Sequence, residues 1–297
     1  MTDKPIKERP ATLHRPGVSL TATAMAETIY TADPELQHPL RFLAAAGVDL
    51  RGAFPVAWHL FRRNLRVTYR RSFLGYLWLF LPMATTALLC LYLQSRRIVT
   101  VGETGMPYAL FVLTGMTFWQ FFVEALNAPA QRLKVERQLI TRSRVPHEAL
   151  MMAGALEAVL NVLVRLVVVV PLLLINQVLD GTSLYLLPAT LAALLLLGTG
   201  GGLLIAPLGL LYDDVGRATA MITGFWFFLS PILYPIPPGG IATLNPVTPL
   251  IDAARASLTG GTVGPAFFIV TLIAIALTVF GWLLYRLAQP HVIARLG

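Results

Sequence analysis

The chain has 297 residues, 56% of them hydrophobic and only 13% charged, with a mean hydropathy of +0.68. That charged share is about half of what soluble domains carry, so a soluble fold of this length is excluded and an all-α integral membrane protein is implied. The net charge of +8 admits nucleic-acid binding or the positive-inside bias of membrane proteins, and the positions of the basic residues decide between them.

Residues 1–54 read as a polar cytoplasmic extension. Lys4, Lys7 and Arg9 alternate with Pro5, Pro10 and Pro16, and no long apolar core follows, so no cleavable signal peptide is expected. Residues 55–72 differ: Val56, Leu60, Asn64 and Val67 follow helical spacing, with five arginines among them. This pattern predicts an amphipathic helix in the cytoplasmic interface ahead of the first span, where an anchor for anionic lipid is the simplest role.

A span needs about 20 largely uncharged residues. Six stretches meet that need, at about 74–93, 104–123, 149–175, 184–211, 218–233 and 266–285, followed by a short tail at 291–297. Six spans put both termini on one side. That side holds 19 of the 23 lysines and arginines, and the other holds only Arg96, Arg97 and Arg255. The bias predicts cytoplasmic termini and removes the nucleic-acid reading, because the basic residues flank spans and form no separate domain.

The loop at 131–148 reads Q-R-L-K-V-E-R-Q-L-I-T-R-S-R-V-P-H-E. Leu139, Ile140 and Val145 are apolar on an otherwise charged loop, which suits either docking into a partner's groove or a solvated connector. Glu157 and Arg165 lie eight residues apart on the third span, roughly 12 Å along a helix, so they cannot pair with each other. Interhelical pairing is favoured over a proton- or substrate-handling site, since no further acid or His lines up with them. Gly198, Gly200, Gly201 and Gly202 within the fourth span predict close helix packing. The stretch after Pro235 is too broken by Pro and Gly for a simple span, and suits re-entrant outer helices between spans five and six.

Several chemistries find no support. The three lysines, Lys4, Lys7 and Lys134, never follow a glycine, so there is no phosphate-binding loop. His14, His38, His59, His147 and His291 form no metal-ligand spacing, and Cys90 stands alone inside an apolar run. No G-x-S-x-G elbow is present. Transport is the better class than catalysis.

Four segments then carry a resemblance. R-R-N-L-R-V-T-Y-R-R-S-F-L-G-Y-L-W from Arg62, G-M-T-F-W-Q-F-F from Gly115, the segment 139–150, and F-L-S-P-I-L-Y-P from Phe228 with L-N-P-V-T-P-L from Leu244 resemble, in order, segments of polysaccharide-exporting ABC transporter permeases. The likeness spans about 55–290, with Val145 where that family commonly has Phe and His147 in place of a frequent Arg. It implies a transmembrane domain at 55–290 that forms a homodimer in the inner membrane, and pairing with two copies of an ATP-binding cassette ATPase. No cofactor is expected on this chain, ATP and Mg being bound by the partner. The cargo implied is a lipid-linked polysaccharide such as an O-antigen, capsule, teichoic acid or cell-wall glycan.

By that resemblance Leu139, Ile140, Arg142, Arg144, Pro146, His147 and Glu148 couple to the ATPase. Arg62, Arg63, Arg66, Arg70 and Arg71 meet the lipid headgroup at the interface. Phe118, Trp119, Phe122, Trp226 and Phe228 line the channel, and Pro235, Asn245, Pro246 and Pro249 belong to the outer gate. The alternatives are a drug or small-lipid exporter of the same superfamily, an ion-coupled secondary transporter using Glu157 and Arg165, and, more distantly, a membrane-embedded glycosyltransferase.

Overall fold

A computed structural model describes residues 39–70, 75, 77–96, 104–136, 145–236 and 244–296. The chain divides into a unit at 1–44, of which only the helical backbone of 39–44 is described, and a unit at 45–297 that holds everything below. Among the described residues the elements are helices: α1 Pro39–Arg70, α2 Leu77–Ser95, α3 Tyr108–Val135, α4 His147–Ile175, α5 Leu187–Leu211, α6 Asp214–Phe228, α7 Val247–Thr259 and α8 Pro265–Leu296. A 3-10 turn at Gly181–Leu186 leads into α5. Five segments are long and apolar enough to cross a membrane: α2, α3, α4, the 3-10 turn with α5, and Pro265–Val292 of α8.

Burial ranks these five. In the most apolar stretch of α3, 72% of residues are buried, against 17% in α2 and in α8, so α3 is the centre of the bundle and the other two face outward. α3 packs against α2, α4 and α5, and α5 packs in turn against α8. Leu88, Leu89, Phe268, Ile269 and Leu272 are exposed apolar residues on the outer helices, as lipid-facing surfaces require.

Glycine sets the closeness of α5 to its neighbours. A Cβ on Gly198 would come 2.9 Å from the carbonyl oxygen of Phe122, and one on Gly202 would collide with that of Leu126. On the other face, Gly200 lies against Thr278 of α8, where a Cβ would meet the backbone nitrogen at 2.9 Å. Thr278 Oγ1 also donates across the interface to the Leu196 carbonyl at 2.7 Å. Backbones this close gain the dispersion contacts that hold apolar helices together when lipid is as apolar as they are.

Element lengths differ from the hydropathy reading. α3 and α4 have 28 and 29 residues, about 42 Å each at 1.5 Å per residue. Both outrun a hydrocarbon core of about 30 Å. The 104–123 stretch marks only the apolar part of α3, which continues through Ala, Gln and Leu residues to Val135. α1 starts at Pro39 and runs through Pro55, well before the expected interface helix at 55–72. α6 is 15 residues long and stops at Phe228, short of the expected 218–233. It buries only Thr219 and Thr223, whose hydroxyls bond back to Val215 and Thr219 carbonyls. α7 is short and well buried, and ends at Gly260 with φ +75, a left-handed conformation that favours glycine.

Candidate translocation path and its two ends

The expected interface helix presents two faces. Ala53, Ala57 and Phe61 are buried, and Ala53 and Ala57 cluster with Ala149 of α4. Phe54, Trp58, Arg62 and Arg66 are exposed one turn apart, so apolar rings lead into basic residues along a single stripe. The Arg62 guanidinium lies 5.2 Å from the centre of the Trp58 ring. Arg63 is instead paired with Glu136 at the end of α3. The Arg70 side chain and Arg71 lie outside the described residues.

Four aromatic residues meet between α3 and α6. Trp119 lies 5.5 Å from Phe122, 6.3 Å from Trp226 and 6.0 Å from Phe227, centroid to centroid. Phe122 and Trp226 meet edge-on at 5.3 Å. Phe118 and Phe122 are fully buried, whereas Phe228 is exposed on the outer side of α6. Beside the cluster a cavity of about 280 Å³ is lined by Trp119, Gln120, Val123, Ala220, Thr223, Gly224 and Phe227. Aromatic faces and an amide in one open cleft suit a sugar ring, which offers C–H faces and hydroxyls together.

Trp226 also joins the aromatic cluster to the start of α7. Its Nε1 donates to Asn245 Oδ1 at 2.8 Å, and the same oxygen accepts from the Val247 backbone N–H at 3.0 Å. Asn245 Nδ2 donates to the Leu229 carbonyl and to Ser230 Oγ. One buried amide thus starts α7 and fastens it to the end of α6. Pro246 precedes α7 and Pro249 lies in its first turn, both half-buried, as is Pro235.

Arg255 holds the other side of α7. It is 7% exposed, lies 3.8 Å from the Phe111 ring centre, and donates to Thr114 Oγ1 and to the carbonyls of Phe111 and Pro231. Asp252 pairs with it at 3.2 Å. Burial lowers its pKa to about 10 and Asp252 opposes that shift, so it remains charged at neutral pH. Gly115 makes room for it, since a Cβ there would come 2.8 Å from its Nη2.

Leu139, Ile140, Arg142 and Arg144, ahead of α4, lie outside the described residues. Pro146 occupies the N-cap of α4. His147 and Glu148 are buried and turned towards α8: His147 Nδ1 is 2.7 Å from Tyr285 Oη, and Glu148 pairs with Arg286 at 3.7 Å. Glu148 in the first turn also complements the helix dipole.

The intramembrane charges of α4 both pair with α3. Arg165 pairs with Glu124, which also accepts from Asn161 Nδ2 at 3.1 Å. Glu157 pairs with Arg132 and accepts from Asn64 of α1. This is the interhelical pairing favoured from sequence. Its partners were missed, although Glu157, Asn161 and Arg165 at four-residue intervals already marked one polar face of α4.

Comparison with known proteins fits this arrangement. Residues 56–259, well over half the chain, match the model of the ABC-2 type transporter family. The chain therefore belongs to that family. It is 23% identical over 240 residues to the O-antigen export system permease protein RfbA of Klebsiella pneumoniae, covering 76% of this chain and 91% of that protein. It is 26% identical over 181 residues to RfbA of Myxococcus xanthus, covering 60% and 67% respectively. It is 22% identical over 239 residues to the polysialic acid transport protein KpsM of Escherichia coli, at 76% and 91% coverage.

Proposed function

We propose that this chain is the membrane permease subunit of an ATP-driven exporter that moves a lipid-linked polysaccharide across the inner membrane. The observation that carries this reading is the likeness to permeases named for O-antigen export and polysialic acid transport, which spans nearly all of the Klebsiella and Escherichia relatives. ATP and Mg are bound by a separate ATPase subunit, in two copies, and two copies of this chain form the pore. α6 and the turns after it, 229–236, make a sixth crossing, so that both termini face the cytoplasm in accord with the basic-residue bias.

The parts then have roles. The stripe Phe54, Trp58, Arg62, Arg66 receives the headgroup, its rings in the interface and its guanidinium groups on phosphate. The Trp119–Trp226 cluster and its cavity offer the polymer weak, ring-sized contacts, with Phe228 on α6 facing the second copy. α7, held by Asn245 and Arg255, closes the outer end with Pro235, Pro246 and Pro249 shaping its approach. Residues 139–148 take the stroke of the ATPase, with His147 and Glu148 linking only the start of α4 to α8.

Affinity purification of the full chain from its native membrane tests the assembly. An ATPase subunit recovered in equal amount supports the reading. A chain that purifies as an active transporter without one would return the ion-coupled alternative.

A further inference from the structure

Three helices meet at one carboxylate. Glu157 stands on α4, its Oε1 accepts from Asn64 Nδ2 of α1 at 3.1 Å, and its Oε2 pairs with Arg132 of α3. Arg132 reaches it by lying over Gly154, where a Cβ would come 2.8 Å from its Cγ. The residue next to Asn64, Arg63, is paired with Glu136 one turn beyond Arg132. Below these contacts, Ala53 and Ala57 have no exposed surface and pack with Ala149. α1 is thus tied to α3 and α4 by charge at Asn64 and Arg63, and to α4 by small apolar residues more than two turns away.

The position of this junction gives it a consequence. α3 and α4 follow each other in the chain and are joined through 137–146, of which 137–144 lie outside the described residues. α1 has no direct chain connection to α4, since Asn64 and Glu157 are 93 residues apart. A single carboxylate with both oxygens engaged, on two different helices, fixes distance and direction together. Apolar packing alone allows sliding, because it is non-directional.

We propose that Glu157 is the yoke that makes α1 move with the α3–α4 hairpin, a positioning residue that never touches cargo. The proposal rests on reading 137–148 as the ATPase-facing segment. Movement delivered there reaches the interface helix, and with it the Arg62 and Arg66 stripe, through Asn64, Glu157 and Arg132.

The test uses the full chain with its ATPase subunit in nanodiscs and Cys90→Ser. Spin labels at His59→Cys and Leu163→Cys, both exposed, report the α1–α4 distance by pulsed dipolar spectroscopy. Leu163→Cys with Ile273→Cys on α8 reports whether nucleotide moves the bundle. The native yoke keeps the α1–α4 distance narrow and unchanged when ATP and vanadate shift the α4–α8 distance. Glu157→Ala broadens the α1–α4 distribution at least twofold and lowers export about tenfold, while ATP hydrolysis stays within twofold of native. Glu157→Gln, which keeps a hydrogen-bonding side chain without the charge, gives an intermediate width.

A narrow α1–α4 distribution in Glu157→Ala overturns the yoke, as does a native α1–α4 distance that shifts with nucleotide as far as α4–α8. Failure of the ATPase reading looks different: the α4–α8 distance ignores nucleotide in the native protein. The widths without nucleotide then still decide whether Glu157 holds α1.

Discussion

Trp226 of α6 donates through Nε1 to Asn245 Oδ1 at 2.8 Å, and that bond joins the aromatic cluster of the bundle to the first turn of α7. Asn245 is 7% exposed and serves four partners on three segments. The aromatic cluster and the start of α7 therefore share one hydrogen-bond network.

Replacing Asn245 leaves the Trp226 N–H and the Val247 N–H without their acceptor. Each buried unsatisfied donor costs about 1–3 kcal/mol, so Asn245→Ala is expected to lower thermal stability in detergent clearly. Asn245→Asp, which keeps the acceptor, is expected to lose less. Trp226→Phe combined with Asn245→Ala checks the bond itself: the double variant should lose about 1 kcal/mol less than the sum of the single losses.

Arg165 and Glu124 are expected to act as a structural pair. Arg165→Met leaves Glu124 uncompensated in the bundle, which costs about 3–5 kcal/mol, and the protein should express poorly. Glu124→Gln with Arg165→Met removes both charges and should restore folding and export. A double variant that folds but does not transport would instead assign the pair a part in moving cargo or protons.

The glycines of α5 and α6 make opposite predictions. Gly202→Ala drives a Cβ into the Leu126 carbonyl and Pro129, so α5 must move off α3. Loss of the monodisperse folded species on gel filtration is the expected result. Gly216 in α6 has open space around it, and Gly216→Ala is expected to be neutral or to stabilise by up to about 1 kcal/mol through helix propensity.

The arginines of α1 separate by face. Arg62→Ala with Arg66→Ala should weaken binding of anionic lipid to the detergent-purified protein and reduce export, with melting temperature unchanged. Arg63→Ala breaks its partly exposed pair with Glu136, worth about 0–1 kcal/mol. Its lipid binding should stay close to native. Equal loss of lipid binding in the two variants would contradict the facial division.

Much of this architecture was legible in the sequence because hydropathy marks spans directly. The Gly198–Gly202 cluster read as a packing surface, and the structure sets it between α3 and α8. Registers were harder. The Val56, Leu60, Asn64 spacing chose a face, but the buried stripe of α1 is Ala53, Ala57, Phe61. Alanines carry little hydropathy signal, and they are what brings α1 against α4. Pro55 read as a helix start, yet the helix passes through it. The partners of Glu157 and Arg165 lie on another helix, and a single sequence records which residues share a face of one helix but not which helix comes to meet it. His147 and Glu148 likewise read as a loop end offered to a partner, and their burial against Tyr285 and Arg286 depends on α8 arriving more than 130 residues later.

Export of a lipid-linked polysaccharide is the central claim, and the fate of glycan in cells lacking this chain tests it most directly. Surface polysaccharide and lipid-linked intermediates would be measured in deletion and complemented cells. Loss of a surface polymer with its lipid-linked form accumulating inside, reversed by the native chain, is the predicted result. Unchanged surface glycan with no accumulated intermediate would contradict it and turn the assignment towards a small-lipid or drug exporter.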